Sequence, residues 1–242
     1  MADMTGKRAL VTGAASGVGK AVVETLAQGD AQVWALDIVP ELDIPGTTYL
    51  RTDVSDVDAW AQVAAAVGET GLDYLHLNAG IQIAPPSAPL AEYRFEAMQL
   101  ERYRRMMGVN VDGVVFGLQA LLEHMRPGGA IVVTASLAGV TPYDVDPLYS
   151  MSKHAVVGLV RSLAGVCAAR QVTINAICPG GVDTGIIPEE QRRPEAVFMT
   201  PQDIADEVMM LFNTDVNGKT WAKVAAAKPA WVVRAPGDKE RR

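Results

Sequence analysis

Short apolar runs alternate along the chain with longer segments in which apolar and polar residues recur at helical spacing. The short runs are rich in β-branched residues and almost continuously apolar, which is typical of strands covered on both faces. Six strands are predicted, at Ala9–Val11, Val33–Leu36, Thr48–Leu50, Tyr74–Leu77, Ala130–Thr134 and Val172–Ile177. Helices are predicted between and after them, at 18–28, 56–67, 100–125, 147–168 and 201–213.

Strand–helix alternation at this rhythm predicts an α/β fold with a doubly wound parallel sheet of about seven strands. The segment Asn217–Val224 supplies the seventh strand. Asp146 before Pro147, and Thr200 before Pro201, are favourable helix starts because the first residue caps and proline suits the first helical position. No linker or repeat divides the chain, so residues 1–242 are predicted to form one domain.

Composition and charge exclude several classes of function. The hydrophobic content of 49% is enough for a large core, whereas the net charge of −7 argues against binding to nucleic acid or to an anionic membrane surface. Cys167 and Cys178 lie in apolar stretches and are predicted to be buried reduced thiols. The chain shows no signal-peptide pattern or membrane-spanning run, so a cytoplasmic location is expected, and nothing in the sequence predicts a metal site.

A glycine-rich loop joins the first predicted strand to the first helix. Gly13, Gly17 and Gly19 lie within the segment Thr12–Gly19. Such a loop brings free backbone amides and the positive end of a helix against a pyrophosphate. The GxxxGxG spacing differs from the commoner GxGxxG fingerprint, but its position between a strand and a helix predicts dinucleotide binding.

An acidic residue ends the second predicted strand. Asp37 follows the loop by about 20 residues, where a carboxylate accepts hydrogen bonds from ribose hydroxyls and repels a 2′-phosphate. The next residue is Ile38, and Ser16 in the loop is also uncharged. NAD is therefore favoured over NADP, with a capping or turn role for Asp37 as the alternative.

A tyrosine and a lysine lie four residues apart on the predicted helix 147–168. Tyr149 and Lys153 share one helical face, and Ser136 precedes Tyr149 by thirteen positions. A nearby ammonium lowers the pKa of a phenol, and at short range the effect is large enough to bring it close to neutral pH. This arrangement suits general acid–base catalysis, although a YxxxK pair alone is more often a solvated surface feature.

Taken together, these residues resemble the short-chain dehydrogenase/reductase family from about residue 6 to residue 218. Thr12–Gly19 is similar to the family's TGxxxGxG loop, and Ser136, Tyr149 and Lys153 match its catalytic trio. Four further matches follow in order: Asp53-Val54 at the adenine ring, Asn78-Ala79-Gly80 after the fourth strand, the helix residue Asn110, and Pro179–Thr184 beside the nicotinamide. The resemblance implies a Rossmann fold.

The resemblance also implies an NAD(H)-dependent oxidoreductase that interconverts a secondary alcohol and a ketone. Tyr149 is expected to be the general acid or base, Ser136 to bind the reacting oxygen, and Lys153 to hold the nicotinamide ribose. Asn110 is expected to order a water in a proton relay with Lys153. The residues expected to contact the cofactor are Gly13, Ala15, Ser16, Gly17, Val18, Gly19, Asp37, Asp53, Val54, Asn78, Ala79, Gly80, Tyr149, Lys153, Pro179, Gly180, Val182 and Thr184.

The same residues leave two alternative functions open, and the resemblance also implies an oligomer. A non-catalytic dinucleotide sensor or scaffold is the alternative function, and the presence of Tyr149 and Lys153 counts against it. An epimerase or dehydratase would need a larger C-terminal part than this chain has. In relatives of this kind the helices carrying Asn110 and Tyr149 pair between subunits, so a homotetramer is expected, with a dimer as the second choice.

Three regions depart from the usual layout of the family. The segment 84–105 is an insertion that either shapes the substrate pocket or lengthens a surface helix. The loop after Thr184 is short and polar; its Arg192 and Arg193 are interpreted as a solvated pair, with an anionic substrate as the alternative. A tail begins at about residue 226 and contains the apolar segment Pro229–Val233. This segment is expected to pack either on a neighbouring subunit or on its own domain. The final residues, Asp238–Arg242, are expected to be disordered.

The substrate is expected to be a small hydroxy or keto compound. The segments around the catalytic residues contain apolar side chains that favour a hydrophobic or alicyclic compound over a sugar. The expected pocket residues are Leu137, Val140, Tyr143, Val145, Ile186, Ile187 and Phe198.

Overall fold

The computed structural model describes residues 4–192 and 195–235, in which eight strands form a single sheet. The strands are β1 (Arg8–Thr12), β2 (Gln32–Asp37), β3 (Thr47–Arg51), β4 (Leu72–Leu77), β5 (Met125–Thr134), β6 (Thr173–Pro179), β7 (Thr220–Lys223) and β8 (Trp231–Val232). Their order is β3-β2-β1-β4-β5-β6-β7-β8. All neighbours are parallel except β7 and β8. The predicted doubly wound parallel sheet is confirmed, with one strand more than expected.

The extra strand comes from the tail, which folds back on its own domain. β8 pairs antiparallel with β7, joining Trp221 to Val232 in register. Behind it the buried Lys223 Nζ lies 2.8 Å from Glu207 Oε1, and the same oxygen accepts a hydrogen bond from the backbone of Ala230 at 3.2 Å. Of the two interpretations of Pro229–Val233, these contacts support folding back on the same domain. The run Asp238–Arg242 lies outside the described residues.

Within the described ranges, six α-helices cover the two faces of the sheet. They are α1 (Gly17–Gln28), α2 (Ala59–Val67), α3 (Leu100–Met107), α4 (Gly113–Leu121), α5 (Pro147–Ala168) and α6 (Pro201–Phe212). One apolar core lies between the sheet and α1 and α6, and the other lies between the sheet and α2, α4 and α5. Among the residues that the structure describes, no helix combines the length and apolar character needed to cross a bilayer.

The predicted helix starts are confirmed at two of the later helices. The Asp146 side chain accepts a hydrogen bond from the Tyr149 backbone at 2.8 Å, and Thr200 forms a reciprocal capping box with Asp203. The predicted start of α2 at residue 56 is wrong by three residues. Asp53 and Asp56 instead accept hydrogen bonds from backbone amides two residues further on, which holds this stretch in turns before the helix begins.

The predicted helix 100–125 is not one regular helix. A π-helical turn, Gly108–Asp112, separates α3 from α4, and a 3-10 turn follows at Leu122–His124. The final residue of the prediction, Met125, already belongs to β5. π-Turns within helices are frequent at functional sites, and this one carries Asn110.

Candidate active site

A crevice of about 1090 Å³ runs along the carboxyl ends of the parallel strands. It opens where the strand order reverses between β1 and β4, which is where open α/β sheets bind ligands. Most of the predicted site residues line it: Gly13, Ser16, Gly17, Val18, Asp37, Asp53, Val54, Asn78, Ala79, Gly80, Ser136, Tyr149, Lys153, Pro179, Gly180, Val182 and Thr184. Three predicted residues, Ala15, Gly19 and Asn110, lie behind this lining and act through their neighbours.

The glycine loop is packed too closely for side chains. Gly13 has a φ of +68°, and a Cβ added there would lie 2.9 Å from the Cα of Ala79. A Cβ on Gly19 would lie 2.0 Å from the carbonyl oxygen of Gly13, so the start of α1 rests directly on the loop. On Gly17 it would meet Thr184 Cγ2 at 3.0 Å, which brings the loop against the segment after β6. The bare backbone at the helix start fits a pyrophosphate.

The Asp37 carboxylate shapes this loop as well as lining the crevice. Its Oδ2 accepts a hydrogen bond from the Ala15 backbone at 2.9 Å, and its Oδ1 accepts one from Ile38 at 2.7 Å. Ala15 therefore positions the loop through Asp37. The sequence analysis missed one cation nearby: Arg51 pairs with Asp37 in the sheet register, and its Nε donates to the Ile38 carbonyl at 3.2 Å.

A hydrogen-bonded network fixes the segment after β4. Thr12 Oγ1 accepts hydrogen bonds from the backbone of Asn78 at 2.9 Å and of Ala79 at 3.1 Å. The Asn78 side chain accepts one from Thr134 Oγ1 at 3.1 Å, and that hydroxyl also contacts His76 Nε2 at 2.8 Å. Burial lowers the pKa of His76 to about 3, so its ring stays neutral. Because the Thr134 hydroxyl donates to Asn78, Nε2 of His76 is the donor to Thr134. No sequence pattern singles out this histidine, because it lies within an apolar strand.

Tyr149 and Lys153 are both buried in the wall of the crevice. Lys153 Nζ lies 5.6 Å from the centre of the Tyr149 ring and donates a hydrogen bond to the Thr134 carbonyl at 3.0 Å. Burial raises the pKa of Tyr149 well above its ordinary value, and the hydrogen bond from Ser136 offsets only part of this. The expected near-neutral phenol is therefore wrong for this structure, because burial of the phenol raises its pKa. Burial also lowers the pKa of Lys153 to about 8.

Asn110 joins two parts of the site from behind. Its Oδ1 accepts a hydrogen bond from the Ile81 backbone at 2.8 Å, and its Nδ2 donates to the Ile81 carbonyl at 2.9 Å and to Ser152 Oγ at 3.1 Å. Ser152 in turn donates to the Tyr149 carbonyl at 2.7 Å. Asn110 is therefore a positioning residue for the segment after β4 and for α5. The water relay to Lys153 stays a prediction.

Asp146 has a second role that the sequence analysis missed. The buried carboxylate caps α5 through the Tyr149 backbone and accepts a hydrogen bond from the Ile83 backbone at 3.0 Å. Burial raises the pKa of Asp146, while these backbone hydrogen bonds lower it. The sequence showed the cap but not the partner, because Ile83 lies 63 residues earlier in the chain.

The insertion 84–105 forms one wall of the crevice. Pro85, Pro86 and Tyr93 line it together with Arg102 and Arg105 of α3. Pro86 accepts a hydrogen bond from the Glu189 backbone at 2.8 Å, which ties the insertion to the loop after Thr184. Of the two interpretations, shaping the pocket is the one that this geometry supports.

The loop after Thr184 closes the same end of the crevice. Gln191, which the sequence analysis did not single out, donates to the Tyr143 hydroxyl at 2.8 Å, and the Tyr143 ring packs edge-on against Tyr149. Arg192 pairs with Asp183 at 2.6 Å and is therefore not free for a substrate; Arg193 lies outside the described residues. Five predicted pocket residues line the crevice, namely Leu137, Tyr143, Ile186, Ile187 and Phe198. Val140 packs into the core instead, and Val145 is exposed.

Comparisons with known proteins agree with this geometry. Residues 7–195 match the family model described as short chain dehydrogenase. The chain is 38% identical over 202 residues to 2,5-dichloro-2,5-cyclohexadiene-1,4-diol dehydrogenase from Sphingobium indicum, covering 77% of each chain. It is 34% identical over 225 residues to cis-4-hydroxycyclohexanecarboxylate dehydrogenase from Sinomonas cyclohexanicum, covering 84% of this chain and 88% of the relative.

A solved structure shares the fold. The short chain dehydrogenase from Burkholderia cenocepacia in complex with NADP superposes with a TM-score of 0.77 at 27% identity. The match covers 92% of this chain and 97% of the other. The eight-stranded sheet and the helices around it are thus those of a known dinucleotide-binding architecture.

Proposed function

The chain belongs to the short-chain dehydrogenase/reductase family, and on that premise we propose that Tyr149 exchanges a proton with a secondary alcohol or its ketone beside bound NAD. The protein is an oxidoreductase of the alcohol dehydrogenase/ketoreductase class. The observation that carries the proposal is the meeting of Tyr149, Ser136 and Lys153 in the same crevice as the glycine loop. NAD supplies or accepts the hydride when it is bound.

The residues of the chain divide the remaining work. Ser136 donates a hydrogen bond to the reacting oxygen and stabilises the charge that develops there. Tyr149 gives its proton to that oxygen in ketone reduction and takes it back in alcohol oxidation. Because burial raises the pKa of Tyr149, the phenol of the free protein holds its proton at neutral pH and can act there as the acid in ketone reduction. Lys153 is placed to hold the nicotinamide ribose and to return protons to Tyr149.

Substitution of Tyr149 tests the catalytic assignment. We expect Tyr149→Phe to lower turnover by about a hundredfold or more, because the ring stays but the proton donor is lost. NADH binding should persist, since the glycine loop is untouched. Turnover is followed by nicotinamide absorbance and binding by NADH fluorescence. Tyr103→Phe, in the same apolar cluster, is the matched control and should retain turnover. An active Tyr149→Phe enzyme would refute the role assigned to Tyr149.

We propose NAD rather than NADP as the cofactor. The support is Asp37, whose carboxylate lines the crevice at the end of β2, where it repels a 2′-phosphate. The Burkholderia cenocepacia relative was solved with NADP, so the proposal of NAD for this chain rests on Asp37 and not on that relative. The contacts of the proposed NAD are those predicted for the glycine loop, Asp53-Val54, Asn78–Gly80 and Pro179–Thr184.

For the substrate we propose an alicyclic secondary alcohol or ketone. The names of two relatives, a cyclohexadiene diol dehydrogenase and a hydroxycyclohexanecarboxylate dehydrogenase, support a six-membered ring. The apolar side chains at this end of the crevice, Ile81, Ile83, Leu137 and Ile186, suit such a ring. A screen of cyclic and acyclic secondary alcohols with NAD tests the choice, and faster turnover of sugars would contradict it.

We also propose a homotetramer, with a dimer as the second choice. One side of α5 supports it: Gly158 and Gly165 have open space beside them, and Met151 and Val166 are each 42% exposed on the same helix. A small-residue surface of this kind allows close approach of a second helix. For the location we propose the cytoplasm, which suits the two buried free thiols of Cys167 and Cys178.

A further inference from the structure

Charged side chains are unevenly distributed around the crevice. The only acids among its described lining residues are Asp37, which ends β2, and Asp53, which follows β3. The cations in the lining are Lys153 and, on the insertion wall, Arg102 and Arg105. In a chain with a net charge of −7, the insertion wall of the crevice is therefore cationic.

Arg102 and Arg105 are available for a ligand. They are three residues apart on α3 and so share one face of the helix. Neither forms an ion pair with a carboxylate in the parts of the chain that the structure describes. Arg192, by contrast, is neutralised by Asp183.

The insertion holds one of these guanidinium groups in place. Arg102 Cζ lies 4.3 Å from the centre of the Tyr93 ring, a cation–π contact that orients the group without consuming its hydrogen bonds. Two hydrogen bonds join the same wall to the loop after Thr184. Pro86 accepts one from the Glu189 backbone, and the Leu90 backbone donates one to Glu190 Oε1 at 3.3 Å. The two arginines are thus part of a built wall.

We propose that Arg102 and Arg105 bind a carboxylate on the substrate, so that the enzyme prefers anionic secondary alcohols such as hydroxy acids of an alicyclic ring. The inference rests on the proposed function and narrows its substrate class. A planar guanidinium matches a carboxylate through two parallel hydrogen bonds. The same chemistry would bind a phosphate of the cofactor, and the experiment separates the two sources.

The test measures binding without requiring turnover. Cyclohexanecarboxylate is titrated into NADH-saturated protein by calorimetry, for the wild type and for Arg102→Ala, Arg105→Ala and Arg104→Ala. Arg104 lies on the same helix, is exposed and does not line the crevice, so it is the matched control. We expect about 10- to 100-fold weaker binding in the first two variants and none of this loss in Arg104→Ala.

Parallel measurements identify the source of the anion. NADH and NADPH affinities are measured for each variant, and kcat/KM is compared for 4-hydroxycyclohexanecarboxylate and cyclohexanol. A lower carboxylate-to-neutral preference in Arg102→Ala or Arg105→Ala, with unchanged NADH affinity, supports the proposal. Loss of cofactor affinity alone, equal losses in all three variants, or no carboxylate binding by the wild type overturns it. Turnover of cyclohexanol with NAD in that last case would leave the dehydrogenase assignment intact.

Discussion

Lys153 is a buried amine whose nearest polar partner is a neutral carbonyl oxygen of Thr134. Burial lowers its pKa from 10.5 to about 8. Between those two values the unfolded chain binds more protons than the folded chain, so folding stability rises with pH there. The cost of burying the charge is fully present below about pH 8 and disappears as the pH rises past the unfolded value.

Replacement of this amine should stabilise the free protein at neutral pH. We expect Lys153→Met to raise the free energy of unfolding by up to about 3 kcal/mol at pH 7, less the lost hydrogen bond to Thr134. The difference from the wild type should shrink towards pH 10, because the wild-type amine is then neutral in the folded state and begins to lose its proton in the unfolded chain. Urea denaturation at both pH values measures it, and an equal difference at the two would contradict the assignment.

Asp37 sets the cofactor preference that we propose. Asp37→Ser should weaken NADH binding and strengthen NADPH binding, which narrows their ratio by about tenfold, because the repulsion of the 2′-phosphate is lost and Arg51 remains nearby. Fluorescence titration with both cofactors measures the ratio. Asp53→Ser is a suitable control, since that residue lines the crevice but follows β3. An unchanged ratio would show that Asp37 acts only on the loop through Ala15.

For the individual residues of the site, the sequence predicted that Tyr149 and Lys153 lie together, but not how burial changes their pKa values. Spacing alone placed Tyr149 and Lys153 on one helical face. Their burial depends on segments far away in the chain, including Ile81 and Thr134, so the rise in the Tyr149 pKa was not visible. Arg102 was likewise missed, because only the folded insertion places it beside the crevice.

The helix α4 approaches the sheet closely at one glycine. A Cβ on Gly117 would lie 2.7 Å from the buried Trp60 ring and 2.9 Å from Leu77 Cδ2. We expect Gly117→Ala to lower the free energy of unfolding by about 1–2 kcal/mol, because overpacking outweighs the gain in helix propensity. Gly165→Ala, on the open side of α5, should instead be neutral or stabilising by about 0.5–1 kcal/mol. Thermal and urea denaturation compare the two, and equal effects would contradict the packing argument.

Helices were predictable where the chain's local chemistry decides their limits. α5 spans the residues predicted because Asp146 and Pro147 start it decisively. The prediction of one helix over 100–125 was wrong, because helical spacing of apolar residues continues through the π-helical turn. That turn is associated with the hydrogen bonds of Asn110 to Ile81 and Ser152, which no local pattern encodes.

The proposed tetramer is tested at the open side of α5. Gly158→Arg places a long cation on that surface, where the isolated subunit has room for it, so the fold should persist while assembly fails. We expect light scattering to show a shift from tetramer to dimer or monomer. Gln28→Arg, on the exposed side of α1, is the control and should assemble normally. A tetrameric Gly158→Arg protein would place the interface elsewhere.

For the whole molecule, the alternation of strands and helices was enough to predict the parallel doubly wound sheet. The strand β8 could not be predicted from the sequence, because a strand of two residues shows no periodicity. Its place at the edge depends on the buried contact between Lys223 and Glu207, two residues that sequence reasoning had no cause to join.

One oxygen of the Asp146 carboxylate accepts a hydrogen bond from the backbone of Ile83, and the other accepts one from the backbone of Tyr149. Redesign of the insertion to widen the pocket would therefore displace Tyr149, the residue that we propose transfers the proton. Engineers who seek bulkier products from this scaffold should find acceptance and speed changing together. Substitutions on the opposite side of the cleft, around Ile186 and Phe198, avoid that linkage and offer the better starting point.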